Sequence, residues 1–246
     1  MKITDIRIGE ISVPLKTPFK TALRTVNSVE DIIVEIHTDT GKVGYGEAPP
    51  TGVITGDTKG SIVGALREHI IKSIVGMDIE NFEEIMLKLD KSIVKNSSAK
   101  AAVDIALYDL YGQLYNSPLY KLLGGYKKEI ITDITISVND PEEMAKDSID
   151  AINRGFETLK IKVGKNASVD IKRMKAIREA VGYDVKLRID ANQGWKPKEA
   201  VKVLRRMEDE GLDIEFVEQP VIAHDIDGLK FVTDNVSIPV LADESV

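Results

Sequence analysis

The 246-residue chain contains no cysteine, a single Trp, three His and only 5% aromatic residues. Each shortage removes a chemistry. Without Cys there is no disulfide framework, no thiolate-bound zinc, no iron–sulfur ligation and no thiol nucleophile. His37, His69 and His224 form neither His-x3-His zinc spacing nor a Ser/His/Asp arrangement. No apolar run approaches the roughly 18 residues of a membrane span. Lys and Arg total 33 against 40 Asp and Glu, a net charge of −7 with no basic block. That balance argues against nucleic acid or an anionic membrane as partner. Met1-Lys2-Ile3-Thr4-Asp5-Ile6-Arg7-Ile8 alternates apolar and polar residues, so it predicts a strand rather than a secretion signal. The N-x-S/T matches at Asn96, Asn166 and Asn235 therefore carry little weight, and a cytoplasmic setting is expected. Gly56-Asp57-Thr58-Lys59-Gly60-Ser61 evokes a phosphate loop but lacks the G-x-x-x-x-G-K-[ST] order.

What is present divides the chain in two. The length suits one large domain or two modest ones, with a core that needs no staples. Ile3, Ile6, Ile8, Ile11 and Val13 predict one strand, residues 31–36 a second, and residues 42–47 a third beyond the turn Asp39-Thr40-Gly41, together a meander. The period then becomes helical over 61–74, 81–93 and 98–115, with Ala102, Ile105, Ala106 and Leu110 as an inward stripe. Strands followed by helices predict an α+β domain over residues 1–125, which Leu122-Leu123-Gly124-Gly125 closes. From 126 to 246 the pattern repeats. Apolar runs begin near Thr132, Leu159, Lys186, Ile214 and Pro239, every 25 to 28 residues, with amphipathic stretches such as 141–154, 169–181 and 197–210 between them. Right-handed crossovers make such strands parallel, in a doubly wound α/β sheet or a (β/α) barrel. No G-x-G-x-x-G follows the first strand, which disfavours dinucleotide binding.

Charged residues recur where the repeating strands end. They stand in Lys160-Ile161-Lys162, Ile189-Asp190-Ala191-Asn192, Val217-Glu218-Gln219-Pro220 and Ala242-Asp243-Glu244, with Lys162, Asp190, Glu218 and Asp243 separated by 28, 28 and 25 residues. The C-terminal strand ends of a (β/α) barrel form its active face. Three carboxylates converging there repel one another unless a cation sits among them, and an all-oxygen site suits Mg²⁺. Lys160 and Lys162 point to one side of their strand. Lysine beside lysine lowers at least one pKa, so one of the pair can accept a proton near neutral pH. The chemistry implied is proton abstraction α to a carboxylate. Taken singly, an acid after a strand is an ordinary helix cap, and Lys-x-Lys an ordinary solvated edge. All of them in phase with the repeat argue against that reading. Trp195, on the loop after the third repeating strand, either touches substrate or covers the barrel rim.

These four motifs, with Gly44-Tyr45-Gly46-Glu47-Ala48 and Leu122-Leu123-Gly124-Gly125, resemble those of the enolase superfamily, muconate-lactonising subgroup, along the whole chain. The resemblance implies an α+β capping domain, residues 1–125, followed by a (β/α)7β TIM-like barrel from residue 126. It implies Mg²⁺, with Mn²⁺ as a second option, on Asp190, Glu218 and Asp243, and lysines on opposite faces of the substrate. Lys162 would move the α-proton, and Lys160 would bind the substrate carboxylate and depress the Lys162 pKa. Within the subgroup, Pro18-Phe19-Lys20-Thr21-Ala22-Leu23-Arg24-Thr25, Val53-Ile54-Thr55-Gly56-Asp57 and Thr135 are similar to the dipeptide epimerases that act on L-Ala-D/L-Glu from peptidoglycan turnover. That implies an isomerase with a small dipeptide substrate and a homo-oligomeric assembly. Arg24 would pair with the glutamate side chain of the substrate and Thr135 would line its pocket. An Arg on a loop can clamp a carboxylate bidentately. Muconate cycloisomerisation and dehydration to o-succinylbenzoate are the competing reactions on the same scaffold. A non-catalytic fragment is the competing reading from another class. Five strand ends are counted where a closed barrel has eight, and the family's second catalytic lysine has no counterpart. An open edge of this kind predicts self-association or poor solubility.

Overall fold

Gly44 and Gly46 leave the inward face of the strand Val43–Ala48 bare, and the helix Ser97–Leu114 lies directly against it. A Cβ at Gly46 would collide with the Ala102 carbonyl oxygen, and one at Gly44 with that of Ala106. Sequence and packing meet at these two positions, because only glycine permits so close a backbone approach. The computed structural model describes every residue, Met1–Val246. It separates into two compact units, Met1–Lys16 with Ser28–Glu129, and Thr17–Asn27 with Ile130–Val246. Residues 17–27, counted by sequence with the first domain, thus belong to the second unit.

The first unit carries the predicted meander. Strands β1 (Ile3–Lys20), β2 (Thr25–Thr38) and β3 (Val43–Ala48) lie in the order β1-β2-β3, with β2 and β3 antiparallel from Ile32↔Ala48 to His37↔Val43. Residues 17–27, at the tips of β1 and β2, are grouped with the second unit. Ile32, Val34 and Ile36 alternate inward at zero exposure, as a two-residue period requires. Helices α1 (Lys59–Ala65), α2 (Ile71–Ile74), α3 (Phe82–Lys91), α4 (Ser97–Leu114) and α5 (Leu119–Leu122) follow, with a π turn at Leu66–Ile70 between the first two. One sequence expectation for α4 is corrected. Ile105 faces outward at 47% exposure, and the inward stripe is instead Ala99, Ala102, Val103, Ala106, Leu107 and Leu110. Those residues are spaced three and four apart, whereas Ile105 falls outside that progression. Gly124 takes φ +83° after α5, which suits glycine at a helix exit.

In the second unit strand and helix alternate as the repeat predicts: β4 (Ile134–Ile136), α6 (Pro141–Asn153), β5 (Thr158–Lys162), α7 (Ala167–Val181), β6 (Lys186–Asp190), α8 (Pro197–Asp209), β7 (Ile214–Glu218), α9 (Ile226–Asn235) and β8 (Val240–Leu241). All neighbouring strands pair in parallel, in the order β4-β5-β6-β7-β8, which makes the unit a partial parallel α/β barrel. Leu159, Ile161, Leu187, Ile189 and Val217 are fully buried against the helices. Proline opens α6 and α8 at the first helical position, where its missing N–H costs nothing. No helix is long and apolar enough to cross a membrane.

Candidate active site

Strand register brings the charged residues together. Lys162 pairs with Asp190 and Asp190 with Glu218 across β5, β6 and β7, while Thr135 pairs with Lys160 one layer below. Partners in parallel register project to the same side. The ammonium of Lys162 donates to Asp190 Oδ2 at 2.6 Å, and that of Lys160 lies 3.0 Å from the same oxygen and 2.7 Å from Glu218 Oε1. Lys162, Asp190 and Glu218 are buried, and Lys160 is partly exposed.

At Lys160 the surrounding carboxylates dominate the electrostatics. Burial acts to lower the Lys160 pKa, but hydrogen bonds to Glu218 and Asp190 and the charges of both outweigh it, so the pKa is raised. Two interleaved carboxylates thus outweigh, at Lys160, any repulsion from the neighbouring lysine. Burial likewise pushes the Asp190 carboxyl up, yet the charge of Lys162 and hydrogen bonds from both lysines hold it below its ordinary value. Glu218 goes the other way. Burial raises it, and the charges of Asp190 and Asp243 add to that against the pull of Lys160.

The anticipated convergence of three carboxylates is not formed as the side chains stand: no group of three acids or histidines is arranged to hold an ion. Lys160 occupies the space between Asp190 and Glu218, and Asp243 is exposed, in the bend just past β8 rather than on it. The surroundings nonetheless fit a hard cation. Asn192 Oδ1 and Glu244 Oε2, in the loops after β6 and β8, are buried without a hydrogen-bond partner, and Glu218 is raised by burial, with the charges of Asp190 and Asp243 adding to it. Unsatisfied oxygens beside crowded carboxylates are what Mg²⁺ relieves.

A hairpin of the same unit overlies the lysines. Thr21 N–H donates to the Arg24 carbonyl at 3.0 Å, and Thr21 Oγ1 accepts from the backbone N–H of Leu23 and Arg24, closing a tight turn. The Phe19 ring lies 6.0 Å from Lys162 Nζ, and Ala22 packs beside Gly164. Arg24 is thereby held, half-buried, on a turn that belongs to the unit carrying the lysines.

Sequence alone assigns no role to Gln219 or Asn192, yet both order the site. Gln219 is fully buried with φ +37°. Its Oε1 accepts from the Asp243 and Ser245 N–H groups and its Nε2 donates to Val221 O and Ser245 Oγ, which ties the β7 end to the Asp243 bend. Asn192, at φ +40°, donates its backbone N–H to Asp190 Oδ1. Non-glycine residues in this region concentrate where function constrains the backbone. The signal available in sequence is position: Gln219 directly follows Glu218, and Asn192 follows Asp190 by two residues. Trp195 is 4% exposed, and its indole N–H donates to buried Asp170, which places it in the rim packing. His69 and His224 are exposed, and His37 meets Glu35 in the first unit.

Comparison with known proteins agrees with this geometry. Residues 3–124 match the mandelate racemase / muconate lactonizing enzyme N-terminal domain, and residues 143–246 match the enolase C-terminal domain-like family. An L-Ala-D/L-Glu epimerase of Clostridium acetobutylicum is 66% identical over 246 residues, which are 100% of this chain and 69% of that protein. The substrate-liganded L-Ala-D/L-Glu epimerase structure from Bacillus subtilis superposes with a TM-score of 0.98 at 53% identity, over 100% of this chain and 69% of that one. A dipeptide epimerase from Enterococcus faecalis, complexed with Mg and the dipeptide L-Leu-L-Tyr, superposes with a TM-score of 0.95 at 46% identity, again over 100% and 69%. With both of its units matched in order and lysines and acids in register at the strand ends, the chain belongs to the mandelate racemase / muconate lactonizing enzyme family of the enolase superfamily.

Proposed function

We propose that the protein is a Mg²⁺-dependent dipeptide epimerase of the L-Ala-D/L-Glu type. The observation that carries this reading is Lys162 buried in strand register with Asp190 and Glu218, with Lys160 beside it. The 66% identity to the Clostridium acetobutylicum enzyme supports the dipeptide assignment.

Asp190, Glu218 and Asp243 would hold the metal, and when bound it supplies positive charge that stabilises a substrate enediolate. Lys160 Nζ, already oriented toward carboxylate oxygens, would donate to the substrate carboxylate. Lys162 Nζ, in its neutral form, would take the proton from the α-carbon. The C–H electron pair then moves into the carboxylate, and the proton resides on Lys162. Proton return on the same face restores the substrate, while return on the opposite face needs a second acid. Of the parallel strands β4 to β8, β5 alone ends in lysine. Proton exchange is therefore the more direct readout. Phe19 and the Thr21–Arg24 turn would shield the centre from water, and Arg24 would receive the acidic side chain of the second residue.

The test is incubation of the protein with L-Ala-L-Glu and Mg²⁺ in D2O, followed by NMR of the glutamate α-position. Deuterium uptake that requires Mg²⁺ and is abolished in Lys162→Ala is expected. No uptake with any dipeptide tried would sink the assignment.

A further inference from the structure

We infer that Asp170, paired with Arg173, is a positioning residue for proton transfer: it clamps together the loops after β4, β5 and β6 and so fixes Lys162 and Asp190. The inference rests on the epimerase reading.

Asp170 lies in the first turn of α7 and is completely buried. One oxygen, Oδ2, accepts from the Gly164 backbone N–H at 3.0 Å and from the Trp195 indole N–H at 3.2 Å. The other, Oδ1, accepts from Arg173 at 2.7 Å, and Arg173 Nε donates to the Asn139 carbonyl at 2.6 Å. Gly164 follows Lys162 by two residues, Trp195 lies on the loop after Asp190, and Asn139 on the loop after Thr135. The carboxylate thus meets the loops after β5 and β6 directly, and through Arg173 the loop after β4.

The carboxylate is not absorbed by local helix chemistry. Asn166 already caps α7 through the N–H groups of Ser168 and Val169. Burying a carboxylate is unfavourable unless its partners are held in place, and a neutral residue would suffice to bury this face of α7. The loops also touch backbone to backbone. A Cβ at Gly194 would collide with the Gly164 carbonyl oxygen, and Gly164, at φ +99°, has no room beside the Ala191 carbonyl. Val163 N–H donates to the Asp190 carbonyl at 2.9 Å, so a displaced β5 loop carries the Asp190 strand end with it. The clamp also reaches the turn bearing Arg24: Lys20 Nζ donates to Asn139 Oδ1 at 2.6 Å, and Val138 N–H to the Lys20 carbonyl.

Asp170→Asn removes the ionic pairing with Arg173 while keeping the shape, and Trp195→Phe removes a single bond to the clamp. Both are compared with wild type for α-proton exchange of L-Ala-L-Glu with Mg²⁺, thermal midpoint, and amide hydrogen exchange over residues 163–195. Asp170→Asn is expected to lower kcat about 10- to 100-fold, the scale of a small misplacement of reacting groups, with KM nearly unchanged and faster amide exchange at 163–165. Trp195→Phe shifts kcat the same way by less. An unchanged kcat per folded molecule in Asp170→Asn overturns the inference while leaving the epimerase reading intact. Should Asp170→Asn fail to fold, an unchanged kcat in Trp195→Phe overturns it. If wild type exchanges no α-proton from any dipeptide, the epimerase reading falls. The clamp is then judged by amide exchange alone, and undiminished protection at Gly164 in either variant overturns it.

Discussion

Lys160 and Lys162 stand two residues apart on β5, but Lys160 reaches both Glu218 and Asp190 while Lys162 reaches Asp190 alone. Their substitutions should separate accordingly. Lys162→Ala is expected to lower the rate of α-proton exchange about 10²- to 10⁴-fold, the usual worth of a positioned acid–base group, with KM little affected. Lys160→Gln should raise KM more than it lowers kcat, since it removes a carboxylate-binding charge; steady-state exchange kinetics check both. In the first unit, Asp31 offers a test by pH. Burial, with the charge of Glu47, raises its pKa, while Oδ1 accepts from Ile32 N–H. An acid raised in the folded state prefers its proton. Its contribution to stability is therefore greatest below the unfolded value, about 3.9, and is lost as pH rises through the folded value. Asp31→Asn keeps the acceptor and should raise the thermal midpoint at pH 7, with the gain disappearing near pH 4.

At the scale of elements, the β3–α4 contact depends on two absent side chains. Gly46→Ala should destabilise by about 2–4 kcal/mol, comparable to a severe core overpacking, because the Cβ meets the Ala102 carbonyl rather than a movable side chain. Asn166→Ala should cost about 1 kcal/mol, the typical worth of a helix N-cap, since Asn166 Oδ1 accepts from two backbone N–H groups of α7. Denaturant titration measures both. These elements were largely legible beforehand. The strands predicted near Leu159, Lys186 and Ile214 occur as Thr158–Lys162, Lys186–Asp190 and Ile214–Glu218, because alternation and helical period are written locally. Ile105 was misplaced because one residue is enough to turn a helical side chain away from the core.

For the molecule as a whole, metal binding should be visible as stability. A ligand at 100 times its Kd adds about 2.7 kcal/mol. Mg²⁺ should therefore raise the thermal midpoint of wild type and leave Glu218→Gln nearly unmoved, as differential scanning fluorimetry can read. The repeat of 25 to 28 residues, the charged strand ends and the family motifs follow from sequence alone, since a one-dimensional period dictates which residues share a height in a parallel sheet. Only the tertiary structure decided that residues 17–27 join the second unit, that Lys160 lies between Asp190 and Glu218, that Asp243 falls past its strand, and that Asp170 clamps three loops. Each of these depends on distances of a few ångströms between residues far apart along the chain. Loop paths and side-chain rotamers set those distances, and neither has a period to read.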